Sequence, residues 1–338
     1  MSFLIRPARP GDLQALYEMA KLTGGGFTNL PADRDALAAK LERTAAALGR
    51  ADEAIADDLI LFVLENRATG QIRGTCQIFS QVGVTAPFYS YRLGTLTQHS
   101  RELDRTFRAQ MLSLTTDLEG AAEVGGLFLH PRERAEGLGL LLARSRYLYI
   151  RQHRDRFGER ILAELRGVID EAGGSPFWDG LAGRFFGMSF QEADAFNAIH
   201  GNQFIADLMP KTPIYVDMLS DHARAVIGMP HPNGRAAMRM LETEGFKYNG
   251  YIDIFDGGPT MLGKIDNLRT VAQARGLRFL GTHGEQGAKL LVAAGRLADF
   301  RCAYARALFD EEDGVRLDSE AADLLGLMSE DRVLAVER

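Results

Sequence analysis

The chain has 338 residues, of which 46% are hydrophobic and 25% charged. This is globular composition with room for about two domains, and it excludes a disordered chain, a collagen-like repeat and a coiled coil. Lysine plus arginine total 39 against 45 acidic residues, a formal net charge of −6, which argues against a general nucleic-acid binder but allows a small anion in a local basic pocket.

In chain order, Phe3 to Pro7 reads as a short strand. Pro10-Gly11-Asp12 reads as a turn that offers Asp12 as a helix N-cap. Leu13, Leu16, Tyr17 and Ala20 then share one helical face, which Gly24-Gly25-Gly26 ends. Residues 32–56 read as a second helical stretch. Leu59 to Leu64 and Ile72 to Phe79 form a hairpin around a turn at 66–70. Residues 80–120 are a long connection bearing Phe88, Tyr89 and Tyr91, and a connection of that length is functional or carries its own structure.

Glu123 to Leu129 is a buried strand that leads through a loop into a helix reaching about Phe157. Arg160 to Val168 is a further strand. Residues 170–230 are mixed, with Pro210, Pro213 and Pro230 as breakers. Arg235 to Glu244 is a helix closed by Gly245-Phe246, and Tyr251 to Asp256 is a strand. The last seventy residues alternate short apolar runs with glycines and charges, the pattern of a small, mostly β lobe. The expected organisation is an α/β (α+β) core over 1–262, with insertions at about 80–120 and 170–230, and a C-terminal lobe over 263–338.

The chemistry concentrates between residues 124 and 157. Arg134-Ala135-Glu136-Gly137-Leu138-Gly139 has the form Arg/Gln-x-x-Gly-x-Gly between a buried strand and a helix. Glycines at a helix start let the backbone approach a ligand, and the free N–H groups of the first turn favour an anion there. Arg132, Arg134, Arg144 and Arg146 add positive charge, a combination suited to a pyrophosphate. The loop lacks the Gly-Lys-Ser/Thr of a P-loop and the first glycine of the dinucleotide fingerprint.

The order of elements around this loop resembles the acyl-CoA N-acyltransferase (GNAT) superfamily, which implies a mixed sheet flanked by helices and a glycine loop that holds the pyrophosphate of coenzyme A. Several segments narrow the resemblance: Gly24 to Pro31, Pro87 to Thr95, Arg156 to Arg160, Glu164 to Gly167, Ser175 to Trp178 and Phe255 to Thr260. Together they resemble the arginine N-succinyltransferase family over at least residues 3–262. The resemblance implies transfer of succinyl from succinyl-CoA to the α-amine of L-arginine, the opening step of an arginine-degradation route that releases ammonia and ends in glutamate and succinate. Succinyl-CoA is then a co-substrate and no cofactor is tightly bound. A related N-acyltransferase with another acyl-CoA or amine, and a non-catalytic CoA-binding module, are the alternatives.

Carried over residue by residue, the family's succinyl-CoA contact falls on Leu127. Leu129, Arg134, Gly137 and Gly139 complete the expected CoA-binding set. The family's proton-donating histidine falls on His231 in Val226-Ile-Gly228-Met-Pro-His231-Pro232. The chain departs from the family pattern Glu-Leu-Cys-x-Leu-Phe-Leu-Asp-Pro by having Gly125 for the cysteine and His130 for the aspartate.

Amide formation from a thioester needs a neutral amine, donors for the oxyanion and a proton for the thiolate. Many GNAT enzymes supply that proton from a tyrosine on the late helix. Counting back from Gly245, the tyrosine position falls on Leu241, so another acid is required, and an imidazole suits the task.

Glu123, Glu164, Asp170, Glu171, Asp253 and Asp256 are candidate partners for a substrate guanidinium. Arg92, Arg166 and Thr28 are candidates for the succinyl carboxylate. The other histidines (His99, His130, His153, His200, His222, His283) show no metal-ligand spacing, so no metal is expected. Two distant cysteines, no long apolar run and no signal-like N-terminus point to a cytoplasmic protein without membrane or nucleic-acid partners. A homo- or hetero-oligomer is compatible with all of this.

Overall fold

The computed structural model describes residues 2–23, 29–134, 137–201, 203–284, 286–310 and 313–338. The glycines at 24–26 and the candidate Thr28 lie outside the described residues. In chain order the elements are β1 (Phe3–Pro7), α1 (Leu13–Lys21), α2 (Arg34–Gly49), β2 (Leu59–Asn66), β3 (Gln71–Phe79), β4 (Ser90–Ser100), β5 (Arg105–Thr115) and β6 (Ala122–Leu129). Next come α3 (Leu138–Gln152), β7 (Arg160–Glu164) and five short helices, α4 (Pro176–Gly180), α5 (Gly183–Phe186), α6 (Phe190–His200), α7 (Gln203–Leu208) and α8 (Asp221–Val226), with β8 (Ile214–Tyr215) before the last of them. The remainder is α9 (Arg235–Glu244), β9 (Lys247–Asp253), β10 (Pro259–Lys264), α10 (Arg269–Gln273), β11 (Arg275–His283), β12 (Ala288–Ala294), β13 (Arg301–Phe309), β14 (Gly314–Asp318), α11 (Ser319–Leu325) and β15 (Arg332–Glu337).

These elements form two compact units. One comprises 1–81, 122–159 and 265–338, and the other comprises 82–121 and 160–264. The two stretches expected as insertions, 80–120 and 170–230, therefore fall almost entirely within the second unit. No described helix is long and apolar enough to cross a membrane.

In the first unit, β1, β2, β3 and β6 lie side by side, all antiparallel. The unbroken apolar run of β2 is buried on both faces. Leu61 and Val63 meet Leu16, Leu37 and Leu41 of α1 and α2. Phe62 points the other way, onto Tyr149 of α3 and Phe300, at ring separations of 5.3 and 5.6 Å. Such aromatic burial contributes about 1.5–3 kcal/mol per side chain.

The C-terminal strands pair in the order β12-β15-β11-β14-β13, and β13 returns to β12. The result is a closed five-stranded barrel, which leaves no free edge among these strands. Its interior is filled by inward residues at period 2, including Leu290, Val292, Ala303, Ala305 and Ala307.

Some local expectations change. Asp12 does not cap α1 with its side chain; its carboxylate instead takes Arg6 at 2.8 and 3.0 Å and the Arg9 N–H at 2.8 Å. The second helix stops at Gly49 rather than reaching 56, because Arg50 turns to an extended conformation. The long connection is itself a hairpin, β4 with β5, paired along eleven residues in each strand.

In the second unit the strands run β7-β10-β9-β4-β5-β8. The aromatic motifs of the sequence become core here: Trp178 and Phe177 are fully buried with Tyr91, Ile252 and Phe255. Ser175 caps α4, and the Trp178 indole N–H donates to the Met188 carbonyl at 2.9 Å.

Candidate active site

The strand carrying Leu127 is irregular where the chemistry is expected. Gly74 and Thr75 of β3 pair with Leu129 and Phe128 of β6, whereas Gln77 pairs with Gly125. Between these pairs Cys76 faces two residues, Gly126 and Leu127. This is a β-bulge, and Gly126 adopts the left-handed backbone it requires, with φ 59°. A bulge interrupts the regular ladder, and here the extra residue falls at Gly126 and Leu127. Leu127 and Leu129 are half-buried, with Phe128 between them turned into the core.

A polar cluster closes on the bulge. A side chain on Gly125 would collide with the Asn29 amide nitrogen at 2.7 Å, and one on Gly126 with Gln77 at 2.9 Å. The absence of these side chains lets Gln77 donate to the Asn29 carbonyl oxygen at 2.6 Å. Lys40 of α2 donates in turn to Gln77 at 3.4 Å and lies 5.5 Å over the Phe79 ring. Burial pulls the Lys40 ammonium down to about 8, partly offset by the Glu123 carboxylate. Sequence reasoning missed Lys40, Gln77 and Asn29 because they lie on three separate segments.

Strand β6 leads into the glycine loop, whose Ala135 and Glu136 lie outside the described residues. Arg134 is exposed at the end of a one-turn helix over Pro131–Glu133. Gly137 is the N-cap of α3 with φ 81°, and its carbonyl accepts the N–H groups of Leu140 and Leu141, both at 3.0 Å. Gly139 has open space: an added Cβ would meet only Leu129, at 3.9 Å. Leu129, Gly137 and Gly139 thus surround the start of α3.

Arg144 and Arg146 do not supply the charge expected of them. Both are buried; Arg144 binds Thr270 and the Glu337 carbonyl at 2.8 and 2.7 Å, and Arg146 binds the carbonyls of Ala143 and Gly125. Arg338 instead places its guanidinium against Gly137.

His231 belongs to the second unit. Its backbone N–H donates to the Arg166 carbonyl at 2.7 Å, just past β7. The chain before it turns at Gly228, with φ 69° and no room for a side chain beside the Tyr248 hydroxyl. The His231 Nδ1 accepts the Asn233 N–H at 3.2 Å, so a neutral ring carries its proton on Nε2. Burial, with a smaller effect of Arg166, lowers its pKa. His130 heads the same His-Pro turn, with its Nδ1 accepting from Arg132 and facing Arg73.

Among the carboxylates, half-buried Asp253 and buried Asp256 are held on backbone N–H groups, Asp256 accepting Gly167 and Gly258 at 2.8 Å each. Burial raises both pKa values. Asp170 closes its own loop onto Gly174. Arg92 lies 3.5 Å from Asp117 and over the Tyr251 ring.

A bulged strand that runs into a glycine-capped helix is the arrangement expected of an acyl-CoA-dependent N-acyltransferase. Comparison with known proteins narrows the class. Residues 3–270 match the model of the arginine N-succinyltransferase beta subunit, and 278–337 match that of its C-terminal domain. The chain is 45% identical to the arginine N-succinyltransferase of Enterobacter sp. (strain 638) over 272 residues, covering 80% of this chain and 79% of that one. It is 43% identical to the Salmonella arizonae protein of the same name over 312 residues, covering 90% and 89%. The structure of the arginine/ornithine succinyltransferase subunit AI from Pseudomonas aeruginosa superposes with a TM-score of 0.91 at 31% identity, over 99% of this chain and 98% of that one. The chain belongs to the arginine N-succinyltransferase family.

Proposed function

We propose that this chain transfers succinyl from succinyl-CoA to the α-amine of L-arginine. The observation that carries this reading is the pair formed by the Gly126–Leu127 bulge and the Gly137 cap, in a chain whose family membership spans nearly its whole length. The first turn of α3 takes the diphosphate, and the backbone of the bulge orients the thioester and donates to its oxyanion. Lys40, rather than Arg92, Arg166 or Thr28, holds the far carboxylate of the succinyl group.

The α-amine attacks the thioester carbonyl, the C–S bond breaks, and the thiolate takes a proton. That proton is the one the attacking amine loses, and His231 steadies the departing thiolate with a hydrogen bond from Nε2, the nitrogen left outward when Nδ1 accepts from Asn233. Burial lowers the pKa of the ring and favours this neutral form, which begins and ends the cycle unchanged. Two unpaired, buried cysteines agree with work in a reducing cytoplasm.

The test is incubation of the purified chain with succinyl-CoA and L-arginine. Free thiol and N-succinylarginine in equal amounts are expected. No thiol release with arginine or ornithine, from either succinyl-CoA or acetyl-CoA, would overturn the reading.

A further inference from the structure

Three cations stand in one row on the C-terminal barrel. Lys289 of β12 is directly opposite Arg306 of β13 in antiparallel register. On the other side of Lys289, the pairing of Leu290 with Glu337 brings Arg338 alongside, its N–H donating to the Lys289 carbonyl at 3.1 Å. Residues opposed in this way project to the same face, and like charges placed so lower stability.

The nearby carboxylates form hydrogen bonds elsewhere, and two acidic groups leave the three cations in excess. Asp318 spends its oxygens on the backbone N–H groups of Arg306 and Ala321, and Glu320 accepts the Ser2 hydroxyl at 3.1 Å. The Lys289 ammonium and the Arg306 guanidinium have no ion-pair partner among the described residues. All three cations border a cavity of about 330 Å³.

That cavity adjoins the glycine cap. Tyr304 on its wall donates its hydroxyl to the Gly137 carbonyl at 2.9 Å. The Arg338 guanidinium lies 4.4 Å over the Tyr304 ring and against Gly137. An anion bound at the start of α3 therefore has this row as its neighbour within the same unit.

We propose that the Lys289–Arg306–Arg338 row is the seat of the 3′-phosphate of coenzyme A. The inference rests on the reading of the Gly137 cap as the diphosphate site. A phosphate monoester near neutral pH carries about −1.5 to −2 charges and three acceptor oxygens, which suits three converging donors, two of them guanidinium forks. The ribose joins this phosphate to the diphosphate, so the two sites must be adjacent, as the cavity and the cap are. The ligand removes the mutual repulsion of the row, which the free chain tolerates as a local loss of stability.

The experiment is calorimetric titration of the full chain with CoA and with 3′-dephospho-CoA. Wild type is expected to prefer CoA on the order of tenfold, the scale of one charge-assisted contact. Lys289→Ala and Arg306→Ala should each erase most of that preference, leave the dephospho-CoA affinity unchanged, and melt no lower than wild type without ligand. Equal wild-type affinity for the two ligands, or variants that weaken both alike, would overturn the assignment. Binding of inorganic phosphate to the row without any preference for CoA would also overturn it, in favour of free phosphate. If neither ligand binds wild type, the diphosphate reading itself fails and takes this one with it.

Discussion

Lys40→Met removes a charge while keeping most of the side-chain volume. In wild type the ammonium is half-buried, 3.4 Å from Gln77 and beside the bulge. Its surroundings desolvate it and bring its pKa down to about 8, so a substrate carboxylate meets a partly screened charge. At 4 Å and an effective dielectric of 20 the Coulomb attraction is about 4 kcal/mol. Desolvation of the incoming carboxylate reduces this to the ~1.5–3 kcal/mol typical of a charge-assisted contact, or roughly 10- to 150-fold in affinity. The assay is the Kd of succinyl-CoA against that of acetyl-CoA, which lacks the carboxylate. Lys40→Met should lower the preference for succinyl-CoA by that factor and leave acetyl-CoA unchanged. Wild-type succinyl-CoA affinity should also weaken above about pH 8, where Lys40 loses its proton, and the variant should show no such step. An equal loss for both donors, or no loss, would refute the placement of the succinyl carboxylate.

Two further outcomes test other parts of the structure. His231→Ala should lower kcat by roughly 10²- to 10⁴-fold with the Kd for CoA unchanged; a normal kcat removes the imidazole from the reaction. His153 is buried beside Glu53 and Arg296, and burial brings its pKa down to about 4. Because the unfolded ring takes its proton near 6.5, the folded state excludes that proton, and stability is lost as pH falls from about 6.5 towards 4. The loss is at most about 3 kcal/mol. Urea denaturation across that range should show it, and a His153→Gln protein whose stability falls as steeply would locate the effect elsewhere.

Much of the site was legible locally. The Arg-x-x-Gly-x-Gly pattern marked the start of α3, since only a residue without Cβ accepts the φ of 81° at Gly137 without strain. The apolar run of β2, the periodicity of α1 and the Gly245-Phe246 stop after α9 gave those elements nearly to the residue. The β4–β5 hairpin did not announce itself, because its outer half is mostly exposed, with Leu96 and Phe107 as isolated apolar residues and no sustained alternation to read. Arg144 and Arg146 look like loop charges by spacing alone, yet the helix turns both inward.

Period and glycine placement, which are properties of neighbouring residues, determined the glycine-capped helix, while the resemblance of scattered motifs such as Ser175 to Trp178 implied the family. The tertiary structure alone decided where β6 slips against β3, that Lys40, Gln77 and Asn29 converge on that slip, and that three barrel cations fall in one row. Each of these depends on strand register and on which distant segments meet. The free energy that sets them comes from burial across the whole unit, so no short stretch of sequence records it.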